Sequence, residues 1–416
     1  MRIAVVGSGI AGLSAAWFLC REHEVVLFEA DDRLGGHTHT VHVEQRGHSY
    51  AVDTGFIVCN DWTYPRFLHL MHRLDVRLRP TSMSFSVRSE RTGLEYNGTS
   101  LNTLFAQRRN LVSPRFWGMV GDILRFNREA TELAKDPHAD ETTTLAEFLH
   151  RRRFSAMFRD HYVVPMGAAI WSAPPSAMQH FPIAFFARFF HNHGMLSVDE
   201  RPTWHTVVGG SSAYLGPITK PFRDSIRLGA PVVRVRRAED AVWLKVAGRE
   251  EERFDHAVLA SHCDQTLGML ADPTEHEKAV LGAIPYQENV AILHTDERMM
   301  PRRRLAWAAW NYHIPREERA RAAVTYDMNI LQGLDAPRHF LVTLNREDEI
   351  DPARVLRRIV YHHPQYTPQG VAMQRRVPEI QGVRRTWFAG AWCGFGFHED
   401  GVVAALAVAE RFGITP

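Results

Sequence analysis

The chain has 416 residues, of which 45% are hydrophobic and 23% charged, with 49 Lys and Arg against 47 Asp and Glu. These values are typical of a globular protein and exclude a disordered, collagen-like or coiled-coil chain, and the length predicts two to three domains. A net charge of +2 excludes bulk electrostatics as an argument for nucleic-acid binding. The four cysteines form no Cys-x-x-Cys pair, which excludes a thiolate zinc site and a disulfide scaffold and is typical of a reducing compartment.

The chain opens with a predicted β-turn-α-β unit. Residues 2–6 and 25–28 are short apolar runs that predict buried strands, and residues 10–19 predict a helix. The early arginine and apolar run imitate a signal peptide, but cleavage there would remove glycines that have the spacing of a phosphate-binding turn. We therefore expect no secretion, and we expect the protein in the cytoplasm, with attachment to the inner membrane surface left open.

The rest of the chain alternates between helical and strand patterns. Helical patterns dominate residues 81–202, as in 116–133 and 145–158. Later elements are predicted as strands at 231–235, 242–246, 256–260 and 386–391, followed by a helix at 402–412. The longest stretch without Asp, Glu, Lys or Arg, residues 161–187, contains four prolines and predicts no membrane-spanning helix.

This order of elements predicts an α/β protein with a Rossmann-like dinucleotide-binding domain that is split along the chain. The pieces of that domain are residues 1–80, 203–283 and 378–416. An α+β substrate domain is inserted between them and consists of residues 81–202 and 284–377.

Three glycines between the first strand and the first helix form the strongest motif. Gly7, Gly9 and Gly12 fit the pattern Gly-x-Gly-x-x-Gly, in which the first makes a tight turn, the second admits a pyrophosphate and the third packs the helix on the strand. Ile10 and Ala11 begin the helix, whose free amides and positive dipole end favour phosphate groups. The motif therefore predicts a dinucleotide site.

An acidic residue and a second glycine pair extend this motif. Glu29 ends the second strand, 20 residues after Gly9, where its carboxylate can accept both hydroxyls of an adenosine ribose. The stretch Glu29-Ala-Asp-Asp-Arg33-Leu-Gly35-Gly36 follows, and on it the chain resembles the flavin amine oxidase superfamily, which carries E-x-x-x-R-x-G-G there. The resemblance, which extends to phytoene-desaturase-like oxidoreductases, implies an FAD domain of the glutathione-reductase type. It also implies non-covalent FAD, with Arg33 and the glycines at its pyrophosphate.

Other stretches resemble the same superfamily. Residues 53–56 resemble its segment beside the isoalloxazine ring, residues 231–232 its strand at adenine, and residues 388–390 and 399–402 its closing motif, whose helix points its N-terminus at the flavin. The closing triplet is Glu-Asp-Gly here, where the superfamily has Glu-Gly-Ala. The predicted FAD-binding residues are Gly7, Gly9, Ile10, Ala11, Gly12, Glu29, Ala30, Arg33, Gly35, Gly36, His37, Thr38, Thr54, Gly55, Phe56, Val232, Gly390, Asp400, Gly401 and Val402.

The sequence departs from the amine-oxidising members of the superfamily. Many of them carry a lysine near the flavin on a strand that begins with Ile-Pro, whereas Ile284-Pro285 is followed by eight residues without lysine. The closing segment also lacks the tyrosine of their aromatic cage. Large apolar and aromatic stretches occur instead in the middle of the chain, at 163–171 and 181–190. They are typical first of a hydrophobic core, and the alternative is a tunnel for a long hydrocarbon.

These stretches, with 294–296, 307–311 and 396–401, resemble a bacterial branch of the superfamily that is often associated with cyclopropane-type fatty acid synthesis. The resemblance implies that an FAD-dependent oxidoreductase removes a hydride from a lipid acyl chain or an isoprenoid. The candidate substrate-pocket residues are Trp171, Phe189, His193 and Trp310. An amine oxidase, a flavin monooxygenase and a redox-neutral or structural flavoprotein in lipid modification remain the alternatives, and no catalytic residue is assigned.

Arginines and histidines raise two further questions. Arg108, Arg109, Arg115, Arg125 and Arg128 interleave with apolar residues at 111–126, a pattern typical of a solvated helix face and also of a helix that lies on an anionic membrane. His37-x-His39 invites a metal site, but no third ligand of matching placement is evident, so no metal is expected. The expected partners are a hydrophobic small molecule or lipid, with peripheral membrane contact left open, and no nucleic acid.

Overall fold

The computed structural model describes residues 1–197, 199–317 and 320–415. Its strands are β1 (Arg2–Val6), β2 (Glu24–Phe28), β3 (Thr40–Gln45), β4 (His48–Asp53), β5 (Cys59–Asn60), β6 (Leu78–Pro80), β7 (Phe85–Ser89), β8 (Glu95–Asn97), β9 (Trp204–Val207), β10 (Ile226–Arg227), β11 (Val232–Arg237), β12 (Val242–Val246), β13 (Glu251–Phe254), β14 (His256–Leu259), β15 (Tyr286–His294), β16 (Trp310–Ile314), β17 (Val324–Asp327), β18 (Leu341–Leu344), β19 (Val355–Pro364) and β20 (Thr386–Phe388).

The α-helices lie between these strands. They are α1 (Ile10–Leu19), α2 (Pro65–Arg73), α3 (Leu101–Leu104), α4 (Pro114–Lys135), α5 (Leu145–Arg151), α6 (Ala156–Phe158), α7 (Val164–Trp171), α8 (Pro175–Gln179), α9 (Ile183–Asn192), α10 (Leu215–Thr219), α11 (Cys263–Met269), α12 (Glu275–Leu281), α13 (Met328–Gln332), α14 (Pro368–Gln374), α15 (Val377–Ile380) and α16 (His398–Arg411). Across the described residues, no helix combines the length and apolar character that crossing a bilayer requires.

A five-stranded parallel sheet, ordered β10-β2-β1-β14-β20, holds the N-terminal motif. β1 is central and its residues 3–6 are buried, because successive side chains pack into different cores on the two faces of the sheet. Ile3 and Val5 pack with α1 and α16, and Ala4 and Val6 join the larger core. The mixed α/β fold and the parallel βαβ start that the sequence predicts are confirmed.

A seven-stranded mixed sheet, ordered β19-β15-β18-β17-β16-β7-β8, forms a second layer with the helices α4–α9 of the middle segment. Within it, β16 and β7 pair in parallel and the other neighbours are antiparallel. The parallel sheet takes its strands from 2–28, 226–259 and 386–388, and the mixed sheet takes its strands from 85–97 and 286–364. The domain boundaries given above stay a prediction.

Several predicted elements have different ends in the structure. The helix predicted at 145–158 is two helices, α5 and α6, because Arg153 between them has a left-handed backbone with φ of +54°. The last helix begins at His398, four residues before the predicted start. It therefore includes the Glu-Asp-Gly triplet, so that the closing motif forms the first turn of α16.

Candidate functional site

The turn between β1 and α1 requires glycine for steric reasons that the structure makes visible. Gly7 has a φ of +100°, and a Cβ there would lie 2.9 Å from the carbonyl oxygen of Ala260. A Cβ on Gly12 would lie 1.9 Å from the carbonyl oxygen of Gly7, so only glycine lets α1 pack this closely on the turn. A Cβ on Gly9 would meet no atom within 4 Å. Gly9 therefore borders open space at the N-terminus of α1, whose first-turn amides point outward.

Glu29 lies directly after β2 and its carboxylate reaches the same turn. One oxygen accepts hydrogen bonds from the Ser8 amide at 2.8 Å and the Ser8 hydroxyl at 2.5 Å, and the other accepts from the Asp31 amide at 3.0 Å. The second oxygen keeps a lone pair for a further donor, whereas the first already accepts two hydrogen bonds. The sequence did not predict the contact with Ser8, which fixes the carboxylate beside the glycine turn.

Backbone hydrogen bonds bring the region of Val232 to the end of β2. The amide of Ala230 donates to the carbonyl of Glu29 at 2.8 Å, and the amide of Gly229 donates to that of Asp31 at 2.8 Å. Val232 then begins β11 as a buried residue, while Ala30 is exposed. The predicted FAD-binding residues Glu29, Ala30 and Val232 thus lie close together in the fold, although Val232 is far from the other two along the chain.

The second glycine motif, Gly35 and Gly36, packs against the turn that contains Ser8 and Gly9. The Gly35 amide donates to the carbonyl of Ser8 at 3.1 Å, and a Cβ on Gly36 would lie 3.2 Å from the Cα of Gly9. The Arg33 guanidinium donates to the carbonyls of Gly36 at 2.8 Å and Thr38 at 3.3 Å. Arg33 therefore holds the backbone of this segment, a role that spacing alone did not reveal.

Three distant segments meet beyond this pair. The Phe56 amide donates to the carbonyl of His37 at 2.8 Å, and a Cβ on Gly55 would lie 2.1 Å from that oxygen. The Thr38 hydroxyl lies 2.9 Å from Nε2 of His398, whose ring stacks on Phe56 with a centroid separation of 3.6 Å. The segments 37–38 and 54–56 thereby meet the start of α16.

A buried tyrosine holds Thr38 and another holds Thr54. The hydroxyl of Tyr214 lies 2.5 Å from that of Thr38, and the hydroxyl of Tyr361 lies 2.8 Å from that of Thr54. Neither tyrosine was predicted. Their roles depend on pairings across more than 150 residues of sequence, for which the local pattern carries no signal.

Residues of the closing motif have two different roles: some pack against α1, and one orders the loop before α16. Gly401 packs on the first turn of α1, where a Cβ would lie 2.7 Å from Cγ2 of Ile10, and Val402 is buried beside it. The Asp400 carboxylate accepts from the amide of Phe397 at 2.9 Å, and burial raises the pKa of Asp400 to about 6. Asp400 thus orders the loop before α16. Gly390 follows β20 in the same loop.

Several imidazoles surround His37. Its ring stacks on Tyr361 with centroids 5.0 Å apart and lies 5.3 Å from His363 and 6.2 Å from His262. Loss of solvation lowers the pKa of His37 and His363 to about 3 and that of His262 to about 4, so all three rings are neutral at pH 7. Among the residues that the structure describes, no group of three or more His, Cys, Asp or Glu is arranged to hold a metal ion.

Three of the four predicted substrate-pocket residues lie together. Trp171 and Phe189 have ring centroids 4.7 Å apart, and the ring of His193 stacks on Phe189 at 3.8 Å. Phe397 stacks on Phe189 at 5.1 Å, and the Trp171 indole donates to the carbonyl of Phe395 at 3.2 Å. We call Trp171, Phe189, His193, Phe395 and Phe397 the aromatic wall. It connects α7 and α9 to the loop before α16.

Trp310 does not belong to this cluster. It lies on β16, and its ring contacts Tyr326 edge-on at 4.8 Å, whereas its indole nitrogen is buried without a hydrogen-bond partner in the described part of the chain. Phe395 and Phe397 were not predicted as pocket residues, although their position before the closing motif was a signal in the sequence.

A comparison with protein families shows to which family this chain belongs. The model for flavin-containing amine oxidoreductases matches residues 10–304, which is more than half of the chain. The chain belongs to this family. The match supports an FAD-dependent oxidoreductase whose FAD is bound non-covalently, as the sequence predicts. The association with cyclopropane-type fatty acid synthesis stays a prediction.

Individual relatives agree with the family. Amine oxidase A of Canis lupus familiaris is 24% identical over 280 residues, which cover 62% of this chain and 49% of that protein. The fold is similar to that of cyclohexylamine oxidase from Brevibacterium oxydans (TM-score 0.71, 18% identity, 99% of each chain). It is also similar to that of a CLA-producing fatty acid isomerase from P. acnes (TM-score 0.70, 17% identity, 99% and 98% of the chains). The chain spans about half the length, or less, of the curated relatives it matches.

Proposed function

We propose that this flavoprotein removes a hydride from a hydrophobic substrate, either a lipid acyl chain or an isoprenoid. The observation that carries the proposal is the aromatic wall, because it offers an apolar surface that ends at the loop of the closing motif. The proposal includes the glutathione-reductase type of FAD domain and the inserted substrate domain described above.

The predicted FAD-binding residues fit the cofactor at several points. The open space at Gly9 and the outward amides of α1 suit a pyrophosphate, and the remaining lone pair of Glu29 suits a ribose hydroxyl. The segment around Gly55 and the first turn of α16 would hold the ring system. FAD supplies the hydride acceptor when it is bound.

The wall residues would bind and orient an uncharged chain. Trp171 and Phe189 are almost wholly buried, so a substrate that contacts them would be shielded from water. Burial lowers the pKa of His193 to about 4, and its Nδ1 lies 2.8 Å from the Phe189 carbonyl, so the imidazole is neutral at pH 7. None of the five wall residues is a carboxylate, so the wall offers no negatively charged partner to an ammonium substrate.

The strand that carries a lysine in many amine-oxidising relatives supports the same proposal. Here Asn289 on β15 is fully buried, and its amide nitrogen lies 2.9 Å from Nδ1 of His363 and donates to the carbonyl of Ser172 at 3.1 Å. Asn345 donates to its amide oxygen at 2.7 Å. An uncharged, hydrogen-bonded amide therefore lies in this part of β15.

An anaerobic titration followed by the visible flavin spectrum tests the proposal. We expect the oxidised flavin band to bleach on addition of a bacterial lipid extract and to persist with simple amines. Bleaching by amines alone would overturn the choice of substrate in favour of an amine oxidase, the activity for which the matching family is named. An oxidised flavin band that neither lipid nor amines bleach would favour a monooxygenase or a redox-neutral flavoprotein.

A pair of variants connects the result to the wall. Phe189→Ala removes the ring at the centre of the wall and should slow bleaching by lipid while the flavin content stays constant. Phe412→Ala, at the end of the last helix and outside the wall, is the matched control. Equal rates in the two variants would contradict a substrate role for the wall.

A further inference from the structure

Exposed apolar side chains collect on one surface around α3 and the start of α4. Val112 is 84% and Leu101 is 75% exposed, and Leu111, Trp117 and Leu305 are exposed as well. Exposing a large apolar side chain is common for a single residue, but a group of five is not. This apolar patch is therefore a candidate interaction surface.

Two segments far apart in sequence form this patch. α3 packs against the turn at 304–306, which brings Leu101 and Leu305 to the same side of the molecule. The Trp117 indole donates to the carbonyl of Leu111 at 2.9 Å, and its ring lies 5.3 Å from that of Phe105. The patch is therefore a fixed surface on the folded protein.

Arginines surround the apolar residues. Between residues 101 and 121 the chain has three arginines and no Asp or Glu, and the same is true of residues 300–306. All six arginines are exposed, and those other than Arg304 are Arg108, Arg109, Arg115, Arg302 and Arg303. We call these five arginines and the five apolar residues the apolar-basic surface.

The acidic side chains nearest to this surface are already used by the protein. Glu95 is buried and accepts from the amides of Arg302 and Arg303, both at 3.0 Å. Glu297 pairs with Arg304 at 3.1 Å, for which reason Arg304 is not counted in the surface. The apolar-basic surface thus has a positive charge at its rim and is complementary to an anionic partner.

The core beneath the surface continues towards the aromatic wall. Phe116 and Met119 of α4 are buried under it, and further along α4 the ring of Phe126 lies 6.2 Å from that of Phe186 on α9. α9 also carries Phe189 of the wall. One helix therefore joins the surface to the helix that borders the proposed substrate space.

We infer that the apolar-basic surface docks the protein on an anionic lipid bilayer. Leu101, Val112 and Trp117 insert at the level of the headgroups, and the arginines pair with lipid phosphates, as in other interfacial segments that combine apolar and basic residues. The inference is independent of the substrate proposed above, since docking needs no flavin reduction. On α4 itself, Phe116, Met119 and Phe126 face the core, which agrees with the sequence interpretation of a solvated face over a core stripe.

Sedimentation of the FAD-loaded protein with vesicles tests this inference. We expect binding to phosphatidylcholine vesicles that contain phosphatidylglycerol, little binding to phosphatidylcholine alone, and weaker binding as salt is added. R115A/R302A should lower the partition coefficient by about 25-fold, at about fivefold per arginine. L101E/V112E should abolish binding, and thermal unfolding should show that both variants are folded.

Matched variants on β19 serve as controls. R357A/R358A and L356E/V360E make the same changes at exposed residues of an edge strand and should leave vesicle binding unchanged. Absence of binding to anionic vesicles would overturn the inference and favour an acidic protein partner for this surface. Equal losses in the surface and control variants would also overturn it, because the contact would then not be local.

Discussion

Replacing Glu29 with glutamine tests the assignment of the dinucleotide site most directly. One carboxylate oxygen accepts from the Ser8 amide at 2.8 Å and from the Ser8 hydroxyl at 2.5 Å. The other accepts from the Asp31 amide and keeps a lone pair for a ribose hydroxyl. Glutamine keeps one carbonyl oxygen for Ser8 but offers N–H donors and no negative charge to the ribose. The loss of one hydrogen bond to a charged acceptor costs about 1.5–3 kcal/mol.

That loss corresponds to an increase of about 10- to 100-fold in the Kd for FAD. The assay is fluorescence titration of the apoprotein with FAD, together with chemical unfolding of the apoprotein to measure the local cost of weaker bonds to Ser8. Glu29→Arg, which brings a positive charge to the turn, should weaken binding further. Asp32→Asn alters an exposed carboxylate three residues later and is the control. An unchanged Kd in both Glu29 variants would refute the assignment.

Three further predictions follow from the packing and from the pKa values. Gly55→Ala places a Cβ 2.1 Å from the carbonyl oxygen of His37, so the ratio of FAD to protein and the unfolding free energy should fall, the latter by about 1–3 kcal/mol. Glu277→Gln breaks the buried bidentate pair with Arg237 and should lower the unfolding free energy, measured with urea, by about 3 kcal/mol. The unfolded chain takes up a proton at His193 near pH 6.5, whereas the folded protein does so only near pH 4, so acidification destabilises the fold. His193→Phe should therefore lose about 2 kcal/mol less stability than the wild type between pH 7 and pH 5 in the same assay.

Each of these three substitutions has a matched control substitution. Gly98→Ala adds a Cβ where no atom lies within 4 Å, Glu275→Gln breaks an exposed pair, and His180→Phe changes an exposed histidine. We expect changes within about 0.5 kcal/mol from each control. A control that changes stability as much as its partner would contradict the steric, ionic or titration argument concerned.

The sequence predicted the parts of the site that depend on short stretches of chain. Gly7 and Gly12 indicate the turn because a tight turn and a close helix leave no room for a Cβ, whereas Gly9 borders open space. The second pair, Gly35 and Gly36, could be found in the same way. The parallel βαβ start followed from short apolar runs on either side of a helical pattern, and β1 pairs with β2 in parallel as expected.

The tertiary structure decided which way the side chains face. Arg33 donates to backbone carbonyls, and Asp400 orders the loop before α16, contacts that the sequence did not predict; their place at the cofactor stays a prediction. Trp310 lies on β16 beside Tyr326, outside the wall that Trp171 and Phe189 form. Spacing along the chain fixes only the local backbone, and these contacts depend on how distant segments pack.

The sequence by itself thus determined the glycine turn, the acidic residue after the second strand and the apolar character of the middle helices. Only the tertiary structure brought Tyr361 to Thr54, His398 to Phe56, and Leu305 to the surface around α3. A local turn is set by the steric limits of neighbouring residues, which the sequence states directly. A contact between segments separated by hundreds of residues is set by the packing of the whole core, to which each local pattern contributes only a small part.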